Sequence, residues 1–315
     1  WLTDMGMTIS KNTLRNWLTK GKTYLDEQVC VLKSISLEKD SIVNCDETWC
    51  KVRKYDHYKK CYMWVLVNKA ERLVIFFYED GSRGRDVLTN FLGDAELKAL
   101  MSDGYNAYVF IGDELKTHRY KDTDHQVYLA HVRAKFVKAR MEGGDKRADV
   151  FLGNINRLFR FEREYDREMI TDGERTRRRQ GLPTMEAMIN LRANLLQELK
   201  SEEEQKSCYM REALNYLHKF WNEAFTYIKD GRYPISNNLA ERAVRPFTTK
   251  RKNSLHFGSD EGAEIAAVYH SIISTVKLQG RSAWDYLGKF FTGIFNGCRD
   301  FLSLTPQNID LAVCQ

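Results

Sequence analysis

Three acidic residues stand in three different settings, and their types and spacing suit phosphodiester chemistry. Asp46 closes a β-type run, Ser41-Ile42-Val43-Asn44-Cys45-Asp46-Glu47-Thr48. Asp103 follows a short apolar run in Leu100-Met101-Ser102-Asp103-Gly104-Tyr105. Glu241 opens a helical pattern in Asn237-Asn238-Leu239-Ala240-Glu241-Arg242-Ala243-Val244-Arg245-Pro246. Two aspartates at strand ends and a glutamate on a helix are a common way to hold two divalent cations. Hard cations such as Mg²⁺ take oxygen ligands, and a metal pair clamps the attacking and leaving oxygens of an in-line displacement. In that arrangement Asp46 bridges both ions, Asp103 binds one and Glu241 the other. Glu47 and Asp113 are acidic alternatives, but Glu47 points to the opposite side of the strand from Asp46.

Each of the three also has a plainer reading. An aspartate ending a strand, or preceding a glycine as Asp103 does, serves turns and caps. With Asn238 as N-cap, Glu241 closes a capping box, and it lies four residues before Arg245, the spacing of a helix-surface ion pair.

Five strings favour the catalytic reading: Cys45-Asp46-Glu47-Thr48, Ser102-Asp103-Gly104-Tyr105, Ala130-His131-Val132-Arg133-Ala134-Lys135-Phe136, Asn237-Asn238-Leu239-Ala240-Glu241-Arg242 and Arg251-Lys252-Asn253-Ser254. In this order they resemble the DDE transposases of the insertion-sequence-66 family, over roughly residues 40 to 290. The resemblance implies a ribonuclease H-like catalytic core and a helical insertion before the last carboxylate. It also implies metal-dependent DNA cleavage and strand transfer, and DNA-binding modules upstream of the core. Related transposases often carry a cysteine three residues before the histidine of the third string; here that residue is Tyr128. The departure weakens a thiol or zinc role and leaves His131 as an active-site neighbour or a satisfied core histidine.

DNA contacts are sought among the basic residues. Arg242, Arg245, Lys250, Arg251 and Lys252 are the densest basic cluster near a carboxylate of the triad. Phosphate contacts of this kind supply most DNA affinity, though a charge run is also an ordinary solvated face. Arg133 and Lys135 flank the His131 string, and Arg175, Arg177, Arg178 and Arg179 lie in a stretch that reads as a surface loop.

The bulk numbers fit a packed protein of one large or two ordinary domains: 315 residues, 43% hydrophobic, 12% aromatic. The net charge of +6 and isoelectric point near 8.8 are mildly basic, so DNA-binding patches have to be local. Seven cysteines include no Cys-x-x-Cys pair, excluding a visible zinc ribbon and suiting reduced thiols. With neither a long apolar run nor a signal peptide, the expected location is the bacterial cytoplasm, at the nucleoid.

The elements that must position the carboxylates follow from periodicity. Trp1 in place of Met reads as a truncated start, and Ser10 as the N-cap of a short helix carrying Leu14, Trp17 and Leu18, the second half of a helix-turn-helix. A second helix covers about residues 24–37. Strands are expected at Ile42–Asp46, Tyr62–Asn68 and Leu73–Tyr78, the last two joined in a hairpin, followed by a helix at Arg85–Leu92 and strands at Ala99–Ser102 and Val127–Ala130. This is the order of a ribonuclease H-like α/β sheet flanked by helices. Helical periodicity then covers Phe151–Tyr165, Met185–Leu199 and Tyr209–Tyr227, and a helix at Glu261–Leu278 follows a Ser259 cap.

The expected organisation is therefore a helical segment at 1–38 (a helix-turn-helix remnant), a catalytic core at 39–139, a helical insertion at 140–230, the second part of the core at 231–290, and a C-terminal tail at 291–315. The sheet is expected to close without the insertion. The expected function is a DDE transposase that cuts the ends of a mobile element and joins them to target DNA with two Mg²⁺ or Mn²⁺ ions. Its partners would be terminal repeats and target DNA, a second copy of the chain and element-encoded helper proteins. The alternatives are a nuclease or resolvase without strand transfer, and a non-catalytic DNA-binding derivative.

Overall fold

A computed structural model describes residues 6, 8–201, 206–236, 240–243, 245, 247–249 and 255–310. In chain order the principal elements are α1 (Lys11–Ser36), β1 (Ile42–Arg53), β2 (Tyr58–Asn68), β3 (Leu73–Glu79), α2 (Arg85–Leu92), β4 (Ala99–Ser102), β5 (Asp124–Val127), α3 (Leu129–Met141), α4 (Ala148–Glu168), α5 (Asp172–Arg179), α6 (Leu182–Lys200), α7 (Cys208–Lys219) and α8 (Trp221–Phe225). Residues 240–243 are helical, and α9 (Asp260–Leu278) and α10 (Ala283–Phe295) follow. The fold is mixed α/β, with three strands paired antiparallel and two paired parallel. None of the described helices is long and apolar enough to cross a membrane.

The described residues form two compact units, one of residues up to 98 together with those from 240 onward, the other of residues 99–236. The helices of the expected insertion thus share a unit with β4, β5 and α3.

In the first unit, β1, β2 and β3 form an antiparallel meander. The turn into β3 places Arg72 at φ 53°, with Asn68 Oδ1 accepting the Glu71 N–H at 3.1 Å. β1 is longer than expected. From Trp49 onward its residues alternate between exposed and buried as far as Arg53, which pairs with Tyr58. Polar residues on the outward face hid that alternation, and Asp46 is therefore mid-strand, opposite Val65. The outer edge of β3 is covered by α9. Ser271 Oγ accepts the Phe76 N–H at 2.7 Å, and Thr275 Oγ1 accepts the Val74 N–H at 3.0 Å. Hydroxyls one helical turn apart thus meet backbone donors two residues apart, satisfying groups that an open edge would leave unpaired.

The two expected N-terminal helices are one. Ser10 Oγ accepts the Thr13 N–H at 3.0 Å, and the helix runs unbroken to Ser36, through the gap between the two expected helices. Gly21 serves close packing: a Cβ there would lie 2.4 Å from Tyr269 Oη on α9. Leu25 and Leu32 of α1 meet Ile75, Ile272, Tyr286 and Phe290 in one apolar core. The expected C-terminal tail is also structured, since Leu304 joins this core and its carbonyl accepts the Tyr286 hydroxyl at 2.9 Å.

In the second unit, β4 and β5 pair in parallel. The strand expected at 127–130 lies three residues earlier, because Leu129, Val132, Phe136 and Ala139 form the buried stripe of α3. Phe136 stacks on Phe151 of α4 with ring centroids 4.4 Å apart. The expected arginine loop is a helix, α5, capped by Thr171. Acidic residues occupy its first turn and arginines its last, in the sense of the helix dipole. Arg179 is 1% exposed. It donates to Glu162 (Nε–Oε1 2.8 Å, Nη2–Oε2 2.7 Å) and to the carbonyls of Tyr227, Asp230 and Tyr233. An arginine so enclosed pins α5 to α4 and to the segment after α8. The helices of 140–230 are packed in one unit with β4 and β5.

Candidate active site

Asp46 is half-buried on β1, and its Oδ1 accepts the Glu47 N–H at 2.8 Å. Directly paired residues of an antiparallel ladder share a face, so Asp46, Val65 and Phe76 lie on one side of the meander. That side is covered by the segment carrying Glu241. Ala240 is fully buried in a cluster with Met63, Val65 and Phe76, and the Phe247 ring lies 4.9 Å from that of Phe76. Burying a Phe side chain contributes roughly 1.5–3 kcal/mol, enough to hold this short segment against the sheet face that bears Asp46. Glu241 itself is exposed, as are Arg242 and Arg245. Asn238, Lys250, Arg251 and Lys252, and with them the expected capping box and three of the five residues of the basic cluster, lie outside the described residues.

Glu47 occupies the opposite face, paired with Trp64. Its buried carboxylate accepts from Arg83 Nε at 2.7 Å and from Arg83 Nη2. This neutralised pair leaves Glu47 a structural role. Asp113 is likewise held in a turn by Lys116, at 2.6 Å, and the Leu115 N–H.

Asp103 follows β4 in the second unit, and its surroundings are closely determined. Gly104 has φ 79°, a left-handed conformation that glycine adopts without strain. A Cβ there would lie 2.9 Å from Tyr216 Oη and 3.2 Å from the Phe220 ring. Asp103 Oδ1 accepts the Tyr105 N–H at 2.9 Å, and the Asp103 carbonyl accepts the Tyr216 hydroxyl at 2.5 Å. Ser102 Oγ accepts the Gly104 N–H at 3.3 Å and meets His125 Nε2 at 2.9 Å. Burial pushes the His125 imidazole down to about 4, so it is neutral at ordinary pH. The turn reading of Asp103 is therefore realised, and it uses one of the carboxylate oxygens.

His131 is half-buried in the first turn of α3, its ring 6.0 Å from the buried Tyr128 ring. Arg133 Nε donates to Asn156 Oδ1 at 2.7 Å. Lys135 pairs with Glu212 at 2.5 Å and lies 4.7 Å over the Tyr216 ring. Arg177 and Arg178 are bound to Glu174 at the end of α5, which draws the Glu174 carboxyl down to about 2. Arg179 is enclosed and offers nothing to a duplex. Tyr216, Ser102 and His125 were not singled out in the sequence: Tyr216 lies 113 residues from Asp103, with no local signal linking them.

The donor set of Asp46, Asp103 and Glu241 fits hard divalent cations. All three are carboxylates and all three retain exposure, in contrast to Glu47, whose carboxylate is buried against Arg83. A second cluster differs in another way: Cys61, Asp80 and Asp260 converge as metal ligands do, but the Lys54 ammonium lies 2.9 Å from Asp80 and 2.6 Å from Asp260. Lys54 supplies the cation there and draws the Asp80 carboxyl down to about 2.

The decisive observation is a family-level match: the model of the transposase IS66 family fits residues 1–265 of the 315. The chain belongs to the IS66 family of transposases. An uncharacterised Sinorhizobium fredii protein, y4jD, is 26% identical to this IS66 chain over 310 residues, covering 93% of it and 57% of y4jD. A second, y4qI from the same organism, is 27% identical over 239 residues, covering 75% of the chain and 43% of y4qI. The chain thus spans about half the length of the curated relatives it matches.

Proposed function

We propose that this IS66 chain carries the ribonuclease H-like catalytic part of a DDE transposase. It would cut the DNA ends of a mobile element and join the freed 3′-hydroxyls to target DNA. Asp46, Asp103 and Glu241 would hold two Mg²⁺ or Mn²⁺ ions. The single observation that carries the reading is the family match, which spans all three carboxylates in order. The meander followed by α2, β4, β5 and α3 supports it, as does the packing of the Glu241 segment on the sheet face of Asp46.

When bound, such ions lower the pKa of an attacking water or hydroxyl and stabilise the departing oxygen. The chain's own part is to present oxygen donors on rigid supports. Asp46 stands in the middle of the first strand of a hydrogen-bonded meander, and Asp103 on a turn braced from three sides. Arg242 and Arg245, exposed beside Glu241, would bind phosphates and hold the strand in register. His131 would neighbour the scissile phosphate, and Lys250, Arg251 and Lys252 would add backbone contacts. Terminal repeats, target DNA, a second copy and helper proteins are the proposed partners.

The test is incubation of the full-length protein with end-labelled element termini, a target plasmid and Mg²⁺ or Mn²⁺, followed by a denaturing gel. Cut ends together with joined products support the proposal. Cut ends without joined products leave a nuclease, and binding without cutting leaves a non-catalytic derivative.

A further inference from the structure

The Asp103 loop is tied down by two local hydrogen bonds and one that comes from far along the chain. The local pair, Gly104 N–H to Ser102 Oγ and Tyr105 N–H to Asp103 Oδ1, spans two residues each. The distant one is the Tyr216 hydroxyl on α7, donating to the Asp103 carbonyl at 2.5 Å. That bond fixes the peptide plane between Asp103 and Gly104, the plane whose setting the left-handed Gly104 requires. Tyr216 on α7 and Phe220, which caps that helix, also seat the loop, since they fill the space a Gly104 side chain would take. Tyr216 is itself held: its ring is 4.9 Å from that of Phe220, and Lys135 lies over it while pairing with Glu212 on the preceding turn of α7.

We propose that Tyr216 is a positioning residue for metal binding: by holding the Asp103 carbonyl it fixes the loop that aims the Asp103 carboxylate, and so makes α7 a determinant of metal affinity. This rests on the reading of Asp103 as a metal ligand. Without the hydroxyl the carbonyl loses its partner, and the loop spends part of its time in conformers that do not present the carboxylate. A binding-competent fraction below one lowers apparent affinity in proportion and leaves the rate at saturation unchanged. A net hydrogen bond of ordinary strength corresponds to about a fivefold change.

The experiment compares wild type with Tyr216→Phe in the full chain. In metal-free protein, amide exchange at Gly104 and Tyr105 should quicken about fivefold while the melting temperature stays within about 2 °C. Mn²⁺ binding, followed by water-proton relaxation, should weaken about fivefold. The half-saturating Mn²⁺ for cutting element ends should rise by the same factor, with the maximal rate recovered at saturating Mn²⁺. Lys135→Met, which frees the Tyr216 ring without touching the loop, should move the same quantities in the same direction by about twofold, and it carries the test should Tyr216→Phe not fold. A wild type that binds Mn²⁺ beside variants with wild-type exchange and Mn²⁺ affinity overturns this proposal alone. A wild type that neither binds Mn²⁺ nor cuts overturns the metal reading and this proposal with it.

Discussion

Arg179 and Glu162 form a buried ion pair, with Nε–Oε1 at 2.8 Å and Nη2–Oε2 at 2.7 Å. The same guanidinium caps the carbonyls of Tyr227, Asp230 and Tyr233. A run of arginines that resembles a DNA grip thus contains the strut of the second unit. Its neighbours Arg177 and Arg178 are bound on the surface to Glu174.

Arg179→Met should therefore destabilise the second unit by about 3 kcal/mol, because the buried Glu162 carboxylate loses its bidentate partner and keeps only Arg175, at 3.0 Å, while three carbonyls lose their donor. Arg177→Ala, at an exposed site, should change stability by no more than about 0.5 kcal/mol. Urea titration of both variants checks the contrast. Equal effects would contradict the strut.

What was legible in the sequence follows physical lines. α2, the hairpin between β2 and β3, and the Ser259 cap of α9 were readable because period, turn chemistry and capping are local signals. The outer half of β1 was not, since Lys51 and Arg53 look like loop residues until their pairing with β2 is known. The continuity of α1 was not legible either: Gly21 lies between the two expected helices, and its approach to Tyr269, 248 positions away, explains a glycine inside a helix. On β1, the facing of Asp46 against Glu47 was legible from alternation. The Arg83 partner of Glu47 and the Tyr216 partner of Asp103 were not, because a long-range hydrogen bond leaves no pattern in a single chain.

The buried His125 gives the second unit a defined pH response. Folding holds its pKa down to about 4, against an ordinary 6.5 in the unfolded chain. Its contribution is complete above about pH 6.5 and is lost as pH falls, because only the unfolded chain takes up the proton until pH nears 4. Between pH 7 and pH 5 this group should cost about 2 kcal/mol of stability. Denaturant titrations of wild type and His125→Gln check it; parallel pH dependences in the two would show that His125 does not titrate in this window.

Arg242 and Arg245 are exposed beside Glu241 and should act as phosphate-binding side chains. Replacing both by Gln should weaken binding to all DNA sequences about equally. It should also flatten the slope of log affinity against log salt by roughly 0.9 for each phosphate no longer neutralised. Fluorescence anisotropy over a salt series measures it. An unchanged slope would place both side chains in solvent in the complex.

The central claim is that Asp46, Asp103 and Glu241 act together on DNA through bound metal. Asp46→Asn, Asp103→Asn and Glu241→Gln each remove one negative charge with little change of shape. The most direct measurement is cutting of labelled element ends in Mg²⁺ or Mn²⁺ by wild type and these three variants, with melting and DNA binding recorded for each. Wild type should cut, and each variant should bind DNA and melt as wild type does while cutting is abolished. Near-normal cutting by any one of the three would remove that residue from the metal site and contradict the account.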